Sequence, residues 1–140
     1  MIKAVLDTNV FVSALFWRGA PHTVVREGIA GAFTLISSPA IMVELREALV
    51  VKFQTPAEDV REYLRVIALN AFLVEPSNVP HVVLADANDD KIIACAVNAE
   101  ADYIVSGDQH LLSLKKFFSI GIITPPAFLC VLKARLNSPL

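Results

Sequence analysis

Four carboxylates in this 140-residue chain stand where acids are costly to place: Asp7, Glu44, Asp90 and Asp108. Asp7 ends the apolar run Ile2-Lys3-Ala4-Val5-Leu6 and is followed by Thr8-Asn9, and Asp108 follows Tyr103-Ile104-Val105 in the sequence Ser106-Gly107-Asp108. Asp90 stands just ahead of Ile92-Ile93-Ala94-Cys95-Ala96, and Glu44 stands among Ile41, Val43 and Leu45. A carboxylate carried to a sheet edge must be solvated, paired or metal-bound, because an isolated buried charge is too costly. Each acid alone has a plainer account. Asp7 and Asp108 could cap the helices that follow them, Asp90 could form a capping pair with Asp89, and Glu44 could lie on a solvated face beside Arg46 and Glu47. Gathered at one sheet end, three or four such groups repel, raise one another's pKa and cost stability unless cations join them. Oxygen-only ligation suits Mg²⁺ or Mn²⁺, with water and a substrate phosphate completing the shell.

The elements that must position these acids alternate along the chain. Residues 2–6 read as a buried strand. Val10 to Trp17 has helical spacing, Gly19-Ala20-Pro21 breaks it, and a helix from about Pro21 to Ala30 is stopped by Gly31. Phe33 to Ile36 is a second strand, and Ser38-Pro39 caps a helix running to about Lys52. Thr55-Pro56-Ala57-Glu58 has the form of a capping box, opening a helix with Val60, Tyr63, Leu64, Ile67 and Ala68 on one face. Ala71 to Val74 is a short third strand, followed by a Pro-containing loop from Glu75 to Val83 and a helix from about Asp89. Tyr103 to Val105 is the fourth strand, Asp108 to Leu114 a short helix, and Gly121 to Ile123 the fifth strand. Thr124-Pro125 caps a final helix that ends before Pro139. The alternation predicts an α/β three-layer sandwich, a parallel five-stranded sheet with helices on both faces. Ligands bind in such sheets beyond the carboxyl ends of the strands, where Asp7 and Asp108 fall.

Composition agrees with that architecture. The 55% hydrophobic fraction suits parallel strands covered on both faces, and the length predicts a single domain over residues 1–140. No apolar run reaches the roughly 20 residues of a membrane helix, and the opening lacks the apolar segment and cleavage site of a signal peptide. Cys95 and Cys130 lie in apolar helical patterns without metal-ligand spacing, so both are expected to be buried free thiols of a cytosolic protein. The net charge of −2 comes from 14 acids and 12 bases, and setting four acids aside for a metal site leaves 12 bases against 10 acids. That balance permits a phosphate substrate once divalent cations are bound. It argues against tight binding to long duplex DNA.

The ordered set Asp7-Thr8-Asn9, Glu44, Asp90 before Ile-Ile-Ala-Cys-Ala, and Ser106-Gly107-Asp108 resembles the PIN-domain family of ribonucleases, over roughly Met1 to Leu132. Within that family it looks most like the toxin components of bacterial and archaeal toxin–antitoxin pairs. The resemblance implies a strand order of 3-2-1-4-5 and Asp7, Glu44, Asp90 and Asp108 as metal-binding acids. Ser106 or Thr8 would be an auxiliary hydroxyl, and Asn9 would hold the loop or a bound water. The third acid falls on Asp90 or, one residue earlier, on Asp89, with Asp86 a weaker candidate. Cytoplasmic action, a homodimer and an antitoxin covering the site are implied as well.

The chemistry expected is metal-dependent hydrolysis of an RNA phosphodiester. One ion would make a bound water more acidic, and a second, about 3.5–4 Å away, would stabilise the leaving oxygen. Arg18, His22, Lys91, His110 and Lys115 are candidate phosphate contacts, each with a plain solvated alternative. Neither His22 nor His110 suits a metal among so many oxygens. Trp17 could stack a base, although a place in the core or a dimer contact accounts for it better. Two rivals remain. An aspartyl-phosphate phosphatase would need a second aspartate two residues after Asp7, where this chain has Asn9, which cannot serve as general acid. A non-catalytic RNA- or protein-binding module would have no use for the repulsion among the acids.

Overall fold

The first strand, β1 (Lys3–Leu6), runs through the middle of the sheet with Ala4, Val5 and Leu6 fully buried. The computed structural model describes residues 1–75 and 89–136. In chain order the further elements are α1 (Thr8–Phe16), α2 (Ala20–Ile29), β2 (Thr34–Ser37), α3 (Pro39–Glu47), α4 (Ala57–Asn70) and β3 (Phe72–Leu73). They are followed by α5 (Asp89–Asn98), β4 (Tyr103–Val105), α6 (Gln109–Ser113), β5 (Lys116–Phe117), β6 (Ile120–Ile123) and α7 (Pro125–Leu136). A single π-helical turn, Ala48–Lys52, prolongs α3 to the predicted end. Among the described residues no helix is long and apolar enough to cross a membrane.

The sheet order is β3-β2-β1-β4-β6-β5. Its five parallel strands follow the order the resemblance implies. Register then does the work that matters for the site. Leu6 of β1 lies opposite Val105 of β4, so the next residues, Asp7 and Ser106, emerge side by side at the carboxyl edge. The ladder continues one step further, with the Asp7 N–H donating to the Val105 carbonyl at 3.0 Å. Phe11, Phe33 and Phe128 fill the core around these strands, Phe33 meeting Phe128 edge-on at 4.9 Å. Gly28 of α2 is needed for the packing, because a Cβ there would come within 2.8 Å of the Phe33 ring.

Several expectations are corrected. The sheet has six strands rather than five, because Lys116–Phe117 pairs antiparallel with β6 as an edge hairpin. Its turn places Phe118 at φ 53°, a residue type that carries no turn signal. The capping box does not form. Pro56 is extended at ψ 138°, so α4 starts one residue late and the Thr55 hydroxyl is buried without a partner. Cys130 is exposed rather than buried, since α7 turns Pro125, Phe128 and Leu132 inward and Cys130 away from them. Ser38 does cap α3, accepting from the Ile41 N–H at 3.3 Å, and Thr124 accepts from the Ala127 N–H at 3.3 Å. The Pro-containing loop after Glu75 and the candidate Asp86 lie outside the described residues.

Candidate active site

Asp7 adopts an extended conformation between β1 and α1, and it stands at the cap position without using its side chain as a cap. The carboxylate is thereby left for other work. It is only 5% exposed, and its Oδ2 accepts from the Ser106 hydroxyl at 2.7 Å. Ser106 is fully buried, and its oxygen also accepts from the Asp108 N–H at 2.9 Å. One hydroxyl thus ties the end of β1 to the turn that leaves β4. Burial pushes the Asp7 carboxyl above its ordinary value, and the charges of Asp108 and Glu44 push it the same way. The Ser106 hydroxyl and the Thr8 backbone N–H offset part of that rise. Asp108 and Glu44 are therefore both within electrostatic reach of Asp7.

The other acids are each engaged differently. Asp108 caps α6, its Oδ1 accepting from the N–H groups of His110 at 2.7 Å and Leu111 at 3.4 Å. The plainer account of that residue, as a helix cap, is thus part of its role. Glu44 is not on an open solvated face: it is half-buried on α3 and forms an ion pair with Lys91 of α5 at 3.2 Å. Asp90 is half-buried in the first turn of α5, and its Oδ1 is buried without a hydrogen-bond partner. Asp89 is the first residue of that helix.

Among the described residues no group of three His, Cys, Asp or Glu side chains converges closely enough to hold an ion as it stands. Asp108 is engaged on its own helix and Glu44 on Lys91. The donor chemistry nonetheless fits a hard divalent cation, which takes carboxylate and hydroxyl oxygens. The orphaned Asp90 Oδ1 and the buried, unpartnered Thr8 Oγ1 are the kind of atoms such an ion or its waters would satisfy. Asn9 is exposed and lines a cavity of about 240 Å³ with Ser13, Pro21, Gly107 and Asp108.

The remaining candidates are scattered. His22 is half-buried with Nδ1 3.0 Å from the Ala14 carbonyl, joining α2 to α1. Arg18 is exposed beyond the far end of α1, and His110 and Lys115 are exposed on and after α6. Trp17 is 60% exposed, which overturns its place in the core. It meets Phe16 edge-on at 5.7 Å, and Phe16 meets Phe53 at 5.1 Å. Beside these rings runs a groove of about 590 Å³ lined by Leu15, Pro56, Tyr63 and Val66, with Asp59 and Glu62 also on its wall. Cys95 is buried with its thiol pushed up to about 12, inert as a nucleophile. Sequence reasoning missed Ser37, whose buried hydroxyl lacks a partner at the carboxyl end of β2, and missed the Glu44–Lys91 pair. A serine closing an apolar strand is the signal that could have found the first.

The PIN-domain family model matches residues 3–110, a span that holds all four candidate acids. An uncharacterized protein of Methanocaldococcus jannaschii is 31% identical over 147 aligned positions, covering 91% of this chain and 90% of that protein. Among solved structures, VapBC2 from Rickettsia felis, bound to a DNA fragment from its promoter, superposes with a TM-score of 0.63. That match spans 89% of this chain and 98% of the other at 15% identity, a likeness of fold.

Proposed function

Because this chain belongs to the PIN-domain family, we propose that it is a metal-dependent ribonuclease, the toxin of a toxin–antitoxin pair, with Asp7 at the centre of its site. One observation carries the reading. A buried carboxylate at the carboxyl edge of the central strand is held by Ser106 and faces the charges of Asp108 and Glu44. Such an arrangement costs stability by itself, and bound cations would relieve the repulsion.

Asp7, Glu44, Asp90 and Asp108 would hold Mg²⁺ or Mn²⁺. When bound, such ions supply neutralisation of the phosphate charge and a more acidic water. The chain's own groups do the rest. Ser106 fixes the Asp7 rotamer through the 2.7 Å bond and at the same time the turn that carries Asp108. Thr8, with its buried hydroxyl, and Asn9, on the wall of the small cavity, stand where they would orient water or a substrate oxygen. Lys91, paired with Glu44 at 3.2 Å, and Arg18, exposed beyond α1, would meet the phosphate backbone of the substrate. A homodimer and an antitoxin-like protein partner complete the proposal. The fold shared with VapBC2 supports the second of these.

A non-catalytic module is the second reading, favoured by the engagement of Asp108 and Glu44 with partners of the chain itself. One assay separates the two. A mixed single-stranded RNA pool is incubated with Mg²⁺, Mn²⁺ or EDTA and with wild type or Asp7→Asn. Cutting that needs the metal and falls at least about 100-fold in the variant supports the nuclease. Folded protein that cuts nothing with either metal, freed of any co-purified inhibitor, leaves the module.

A further inference from the structure

Lys91 and Glu44 are 47 positions apart in sequence, and their charged atoms meet at 3.2 Å between α5 and α3. The Arg65–Glu62 pair, by contrast, joins residues three apart on one exposed helix face. The Lys91 side chain is 41% exposed and that of Glu44 22%, so the pair is sheltered yet able to part. Lys91 also follows Asp90, whose buried Oδ1 has no hydrogen-bond partner. A positive charge therefore already sits against Glu44 and next in sequence to Asp90 before any ion arrives.

We propose that the Lys91 ammonium is the chain's own counter-ion for this crevice, holding Glu44 in the metal-free protein and competing with a divalent cation for that carboxylate. The inference rests on the reading of the crevice as a metal site. An ammonium is a compact, strongly hydrated point charge of about the kind a hard cation presents. Two cations on one carboxylate repel, so an ion that ligates Glu44 does so at the expense of the ion pair. The measured ion affinity is then the intrinsic one reduced by the cost of that break, in the same way that any competing partner lowers apparent binding. Lys91 is a positioning residue in this scheme: it keeps Glu44 folded against α5 while the crevice waits.

The test compares Mn²⁺ binding by titration calorimetry and by the paramagnetic resonance of free Mn²⁺. The proteins are wild type, Lys91→Gln, Lys91→Met and Lys91→Arg, each stripped with EDTA. The two neutral variants should bind Mn²⁺ about 2- to 5-fold more tightly than wild type, the weight of a partly exposed ion pair, and the Arg variant should not. In EDTA at low salt the neutral variants should melt below wild type and the Arg variant should keep its melting temperature, with the difference closing at saturating Mn²⁺. Neutral variants that bind Mn²⁺ no more tightly than a wild type that does bind it would overturn this inference alone. Absence of Mn²⁺ binding in every protein would overturn the metal reading of the crevice and this inference with it.

Discussion

The two ends of α1 break opposite rules of folding. At its start the chain buries charge, with Asp7 enclosed beside Ser106 and pressed by two further acids. At its finish it leaves rings in water, with Trp17, Phe16 and Phe53 clustered on the surface beside an apolar groove. Nine residues of helix, about 14 Å, separate them. The first departure costs stability through desolvation, the second forgoes stability that burial would have supplied. Between them α1 buries Val10, Phe11, Val12 and Ala14, an ordinary core face that anchors both. The contrast separates kinds of function. Enclosed charge serves chemistry on a small group, whereas rings in water serve contact over an area.

Removing the charge should break the first end most. Asp7→Asn is expected to abolish at least about 100-fold of RNA cleavage and, in EDTA, to raise the melting temperature at neutral pH. The sign follows from a folded pKa raised above the ordinary value of an aspartate. The ionised carboxylate starts to cost stability as pH rises past the unfolded value, and the cost is complete above the folded one. The gain of the variant should therefore vanish on acidification toward pH 3. Calorimetry across pH reads it, and a variant less stable than wild type at pH 7 would contradict the cost assigned to burial.

Ser106→Ala should follow, with cleavage down about 10–100-fold, the range for lost outer contacts of a metal ligand. It should also lose about 1–3 kcal/mol of stability in urea, because the buried Asp7 carboxylate is left short of a donor. Opposite signs of stability change for Asp7→Asn and Ser106→Ala would sharpen the distinction between the charge and the group that accommodates it. Tyr63→Phe probes the helix between the regions. Its hydroxyl donates to the Phe11 carbonyl at 2.6 Å, joining α4 to α1, and its loss should cost about 1 kcal/mol by urea unfolding. The smallest effect is optical. Trp17 is the sole tryptophan, and its emission should be quenched readily by acrylamide in the free protein. A protected Trp17 in solution would mean that the rings are already covered.

The parallel strands and most helices were legible because long apolar runs ended at Gly, Pro or Ser, as at Gly31 and Ser38-Pro39. The juxtaposition of Asp7 with Ser106 was legible through topology, since two neighbouring parallel strands deliver their next residues to one edge. What stayed hidden was either too short or too distant. β5 is two residues long and turns through Phe118, so neither period nor turn chemistry marks it. The Thr55 box has the right letters, but the extended Pro56 moves the helix start past it. The exposure of Trp17 and Cys130 depends on which face of a largely apolar helix meets the sheet, which one sequence leaves open. The Lys91–Glu44 pair depends on α3 and α5 packing together, a contact that local spacing cannot express.

The outermost strands carry a consequence of their own. Both are two residues long, Phe72–Leu73 on one side and Lys116–Phe117 on the other, and the second runs against its neighbour. A sheet grows by offering a row of free backbone groups to another chain, and a two-residue margin offers almost none. Lys116 adds a charge where an incoming strand would have to lie. Among the described residues, the margins of the sheet therefore offer a neighbouring copy little backbone on which to register, even with aromatic rings exposed nearby.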